Sequence, residues 1–165
     1  MSANNNLNPN QSLFNVELIK IEDIQVVNAN IENLARLSTF PRNARYSNNI
    51  DFVVNTNFEH KKIQCIITAS VTVQKKEALN ENILSGKFEV ATYFDVNDIP
   101  EVMLLDKNGQ VSMEKELVLL LQTISYSTTR GVISGFCHGT VLSKWILPIL
   151  SVKTIGENLT MPDSE

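Results

Sequence analysis

The sequence predicts an α+β fold: a four-stranded antiparallel sheet followed by a long helix, in the C-terminal half, that packs on it. Four segments before residue 97 carry apolar residues at alternate positions, the period of a half-buried strand. The links after the second and third are short and polar, which suits antiparallel neighbours. Residues 112–151 then change to a leucine-rich amphipathic pattern that runs into a series of small residues.

Residues 1–12 hold five Asn, one Pro and one Gln, too little apolar surface to offset the entropy of ordering, so they predict a disordered tail. A single domain is expected over 13–155, with a short flexible acidic tail over 156–165. Phe14, Val16 and Leu18 open the first strand, and Ile24, Val26 and Val27 continue it past a bulge near Ile19 to Ile21. Asn28, Asn30, Asn33, Pro41, Asn43, Asn48 and Asn49 break the alternation, so 28–49 reads as a long connection with a short helical turn around Ile31 to Leu37.

In the second strand Ile50, Phe52, Val54, Thr56 and Phe58 share one face. The third sets Ile63, Cys65, Ile67, Ala69, Val71 and Val73 against Gln64, Ile66, Thr68, Ser70, Thr72 and Gln74. Phe88, Val90, Thr92, Phe94 and Val96 mark the fourth. These successive strands imply a meander, apart from the long first crossing. Pro100 and the turn Asp106-Lys107-Asn108-Gly109 end the sheet region. Ser112 is a candidate N-cap for a helix from Met113 to His138, with Glu114 and Glu116 in its first turn and Gly139 at its end.

Ser127, Gly131, Gly135 and Gly139 recur every fourth position and form a smooth stripe on that helix. Glycine costs helix stability, so two of them mid-helix ask for a close packing partner. That partner is either the chain's own sheet or a helix of another subunit; the second reading assigns Ser127, Arg130, Gly131, Ser134 and Gly135 to an oligomer interface. Arg130 is the single charge between Leu117 and Gly135. It is either an ordinary cation at the helix edge or half of an ion pair.

Composition narrows the function. The 14 basic and 18 acidic residues give a net charge of −4, which offers no general attraction to nucleic acid or anionic lipid. No apolar run approaches membrane-spanning length, and the polar start carries no signal core, so no membrane insertion and a cytoplasmic setting are expected. Cys65 and Cys137 belong to no metal-spaced cluster and read as buried reduced thiols. His138 adjoins Cys137, but neighbours on a helix point about 100° apart and do not make a nucleophile and base. No phosphate loop, nucleophile elbow or dinucleotide fingerprint is present. A hotdog-type thioesterase is disfavoured by order, because its long helix follows the first strand. No enzyme, no cofactor and no metal is the expectation.

Apolar residues outside the regular elements point to a binding surface. The connection 28–49 carries Ile31, Leu34, Leu37, Phe40, Pro41 and Tyr46, and the segment after the helix carries Val141, Leu142, Trp145, Ile146, Leu147, Ile149 and Leu150. Either these cover the core or they line a groove that takes up unfolded polypeptide. The groove reading assigns peptide binding to Leu34, Leu37, Phe40, Tyr46, Trp145, Ile146, Leu147 and Ile149.

Several of these motifs resemble SecB-type protein-export chaperones over roughly residues 13–152. Glu22-Asp23-Ile24, Val71-Thr72-Val73 and Tyr93-Phe94-Asp95-Val96 resemble strand ends of that family. Arg130 to Ser134 with Gly139-Thr140, and Leu147-Pro148-Ile149-Leu150-Ser151, resemble its helix end and exit. The resemblance implies a SecB-like fold and an ATP-independent holdase that keeps precursor polypeptides translocation-competent. It implies a homo-oligomer, a dimer of dimers with sheets joined edge to edge, and delivery of clients to the SecA motor through Glu22, Asp23 and Glu77. Val27 stands where the family has a second acidic residue, Lys75 and Lys76 add positive charge near the hairpin, and little chain follows Ile155 for a second helix and motor-binding tail. SecB-like proteins also serve as dedicated chaperones of antitoxins in toxin–antitoxin systems, and that alternative stands beside export, as does a non-catalytic assembly or adaptor protein.

Overall fold

Alternating burial builds the centre of the molecule. In a computed structural model, which describes residues 19–41, 44–57, 60, 62–75, 81–96, 103–105 and 111–157, strand β3 (Lys62–Lys75) buries Ile63, Cys65, Ile67, Ala69, Val71 and Val73 on one face. Its partners are β2 (Ala44–Asn57) and β4 (Asn82–Val96), and β1 (Ile19–Glu32) pairs with the far side of β4. The order β1-β4-β3-β2 is antiparallel throughout. The last three strands form the expected meander, and β1 crosses over them to the opposite edge.

Several boundaries differ from expectation. The asparagines do not break the sheet: Asn28 and Asn30 lie within β1, and Asn48 and Asn49 within β2. Both are edge strands with largely exposed side chains, where a polar residue loses little hydration. The connection is therefore shorter than 28–49, and no helix forms at Ile31 to Leu37. Asn33 instead clamps a turn: its Nδ2 donates to the Leu37 carbonyl at 2.7 Å and its Oδ1 accepts from the Leu37 amide at 2.8 Å. Arg36 adopts a positive φ of 50° there. Register shifts in β1 fall between Ile21 and Asp23 and between Val26 and Asn28. The expected tail 1–12, residues 13–18, Phe58 and residues 158–165 lie outside the described residues.

A small hairpin, β5 (Met103–Leu105) with β6 (Val111–Met113), precedes the helix. Ser112 is part of β6, so it is not the N-cap. Helix α1 (Lys115–Cys137) starts after Glu114 with no side-chain cap bond. The helix runs unbroken through Gly131 and Gly135, and Gly139 beyond its end takes a φ of 79°, a left-handed position that glycine suits. A short helix α2 (Val152–Glu157) follows, so residues 156 and 157 belong to it and not to a flexible tail.

Leu117, Leu121, Tyr126 and Ile133 of α1 pack on the inner face of β3 and β4, and Ile155 of α2 joins that core. The seam between helix and sheet is partly polar. Thr92 Oγ1, Gln122 Oε1 and Thr129 Oγ1 are buried with no hydrogen-bond partner among the described residues. Burial pushes the Cys65 thiol up to about 12, with the neighbouring Ser125 hydroxyl pulling the other way. Unpaired polar groups weaken such a seam relative to an apolar one. Helix α1 does not extend over β1. Ile21, Ile24 and Val26 pair with Phe94, Thr92 and Val90 on the helix side of the sheet, yet remain exposed.

Candidate polypeptide-binding surface

The segment after α1 is built as an extended strap. Leu142 packs under Gly86 of β4, where a Cβ on the glycine would meet its Cδ1 at 2.7 Å, so that contact needs a residue without a side chain. Trp145 then enters the core, 4% exposed, stacks on Phe88 with ring centroids 5.6 Å apart, and donates from Nε1 to Asn48 Oδ1 at 2.9 Å. Two side chains one turn apart on α1 hold the next residues: Tyr126 Oη donates to the Pro148 carbonyl at 2.7 Å and Arg130 Nε to the Leu147 carbonyl at 3.2 Å. Burial raises the Tyr126 hydroxyl above its ordinary range, and the Arg130 charge opposes the shift, so the phenol stays protonated to donate.

Pinned this way, the strap divides its side chains between core and solvent. Trp145 and Leu147 point in; Ile146 and Ile149 point out, 70% and 84% exposed. Leu147 is 3% exposed. The assignment of Trp145 and Leu147 to peptide contact is therefore corrected: their side chains are core, and a partner could reach them only by opening it.

On the other side of the site, the Asn33 turn directs Leu34 outward, 64% exposed, and tucks Leu37 against the core. Phe40 is half-buried and meets the ring of Tyr46 edge-on at 6.5 Å; Tyr46 is 60% exposed at the end of β2. The loop of Phe40 and the turn at 140–144 line one pocket, which brings the two predicted segments together at this end of the sheet. The available apolar residues are thus Leu34, Tyr46, Ile146 and Ile149, with Phe40 partly so. Asn33 was the missed signal: an Asn four residues before Leu37 can close such a turn.

The small-residue stripe faces away from the sheet. Ser127, Gly131, Ser134 and Gly135 are exposed, and a Cβ on Gly131 or Gly135 would meet no atom within 4 Å. Close packing on the chain's own sheet is therefore ruled out as the reason for these glycines. With Val132 and Phe136 they line an open, shallow trough. Arg130 is partly exposed at the helix edge, as one reading had it, makes no ion pair among the described residues, and anchors the strap at Leu147.

Glu22 forms an ion pair with Lys62 at 2.6 Å. Asp23 accepts from the Ile24 amide at 2.8 Å and from Gln25 Nε2 at 2.7 Å, exposed on β1. Glu77 lies outside the described residues. No group of three or more His, Cys, Asp or Glu that could hold a metal occurs among the described residues. Cys137 is buried and its thiol is pushed up to about 11 by that burial, the reverse of an activated nucleophile, while His138 is exposed.

No known family profile matches the chain, and no curated protein matches it. Among solved structures the chain is similar to the Mycobacterium tuberculosis SecB-like chaperone Rv1957, solved in complex with a ChAD peptide from the HigA1 antitoxin, Rv1956. The two are 17% identical, with a TM-score of 0.57, over 82% of this chain and 92% of that one. The class is thereby defined: four antiparallel strands and a helix in a SecB-like α+β fold.

Proposed function

We propose that this chain is a non-catalytic, ATP-independent holdase that binds non-native polypeptide in the cytoplasm. The observation that carries this is the exposure of Leu34, Tyr46, Ile146 and Ile149 on backbone fixed by the Asn33 turn and by the Tyr126 and Arg130 bonds. Rigidly held apolar side chains facing water bind apolar segments without first losing their own entropy. No helix among the described residues is long and apolar enough to cross a membrane.

The chain assembles as a dimer of dimers through Ser127, Gly131, Ser134 and Gly135, with the open edge of β1 as a second contact. Support comes from the empty space over both glycines and from a helix whose outer side, from Leu117 to Cys137, carries no charge apart from the committed Arg130. A dedicated antitoxin client is a second reading, favoured by the antitoxin peptide in the similar complex. Delivery to the SecA motor through Glu22, Asp23 and Glu77 is the third element of the proposal, supported by the exposure of Glu22 and Asp23 on β1.

The test is light scattering of a chemically unfolded client on dilution, with and without the purified protein and with no nucleotide. An equimolar amount of protein is expected to suppress most of the scattering. Unchanged aggregation at a several-fold excess would remove the holdase reading.

A further inference from the structure

A pocket of about 400 Å³ lies where the loop of Phe40 meets the turn after α1. It is lined by Ser38, Thr39, Phe40, Pro41, Thr140, Ser143 and Lys144, four hydroxyl side chains and one cation among them. The Thr140 hydroxyl is committed: it donates to the Cys137 carbonyl at 2.8 Å and accepts from the Leu142 amide at 3.1 Å. The side chains of Ser38, Thr39, Ser143 and Lys144 have no hydrogen-bond or ion-pair partner among the described residues. Among the described residues, three hydroxyl side chains and one cation without partners, and no carboxylate in the lining, favour an anion over a cation. The negative end of α1 lies close by, but it is partly quenched, because the Gly135 carbonyl accepts from the His138 amide and the Cys137 carbonyl from Thr140.

We propose that this pocket receives the carboxylate of an Asp or Glu side chain in the bound polypeptide, beside the apolar segment held at Phe40 and its neighbours. The inference rests on the polypeptide-holding reading above and adds a preference to it: apolar segments flanked by an acidic residue bind better than the same segments without one. At about 400 Å³ the pocket has room for a side chain, and a lining that mixes Ser, Thr and Lys with Phe40 and Pro41 suits a carboxylate on a short aliphatic stem.

Fluorescence anisotropy on the full chain tests it, with labelled peptides that share one apolar segment and have amidated ends. Each carries a single Glu at a different flanking position, and each has a Gln twin. At low ionic strength the best Glu peptide is expected to bind roughly threefold to tenfold more tightly than its twin, in the range of a partly exposed charge-assisted contact. Lys144→Gln, a change at an exposed position, should close that gap and leave the melting temperature unchanged. A further Gln peptide with a free C-terminal carboxylate separates the two sources of this group; a gain for it alone would overturn the side-chain assignment. Equal binding of every peptide to the wild-type chain would overturn the pocket and leave the holdase reading intact. Failure of all peptides to bind would overturn that reading, and the pocket with it.

Discussion

Replacing Gly131 and Gly135 together by leucine is expected to leave the subunit folded and to break the assembly. Nothing in the chain lies within 4 Å of either added Cβ, so the subunit gains no clash. Leucine is also a better helix former than glycine, by about 0.5–1 kcal/mol per site. The isolated subunit should therefore melt at the same temperature or slightly higher. Between subunits the outcome reverses, because two large side chains cannot enter a close crossing over the trough at Val132 and Phe136. Sedimentation at micromolar concentration should show the dissociation constant rising by roughly tenfold or more. The Gly→Ala pair, with a far smaller side chain, should lose much less. An assembly of unchanged size in the leucine variant would contradict the stripe as an interface.

Trp145→Ala is expected to act in the opposite manner, on the subunit itself. The change removes a buried ring stacked on Phe88 and leaves Asn48 without its donor. Large-to-small changes of this kind cost about 3–5 kcal/mol, a large share of a typical domain's stability of about 5–15 kcal/mol. For a chain of this length the unfolding midpoint should fall by about 10 °C or more. Circular dichroism would show it. A midpoint within about 2 °C of wild type would mean that Trp145 is not the core anchor of the strap and is free to meet a partner.

Alternation in β3 gave the inner face residue by residue, because a strand flanked on both edges must bury one set of side chains. The long helix was equally plain: its buried positions, Leu117, Leu121, Ser125 and Thr129 among them, recur at helical spacing. Edge strands were less readable. Asn28, Asn30, Asn48 and Asn49 carry turn-forming chemistry, and only the sheet's solvent-facing edges let them remain in strands. The three-residue strands β5 and β6 were too short to leave a period.

The strap misled for a different reason. Residues 145–150 have the apolar density of a binding segment, but density does not say which side chains turn inward: Trp145 and Leu147 are buried, Ile146 and Ile149 exposed. Tyr126 and Arg130 decide which side, through bonds to carbonyls 22 and 17 residues away that no local pattern reveals. The candidate surface thus shrank from eight named residues to those pointing outward. The glycine stripe was visible in the sequence, but its direction was not, since facing the sheet and facing another subunit ask for the same small residues.

The central claim is that outward apolar side chains on a fixed scaffold capture non-native chains. Its most direct test is titration of a labelled, permanently unfolded polypeptide into wild-type protein and into the Leu34→Ser, Ile146→Ser, Ile149→Ser variant. These three exposed positions should leave the melting temperature within about 2 °C, since surface changes cost little, while affinity falls by roughly tenfold or more through lost apolar burial. Equal affinity in the two proteins would contradict the account.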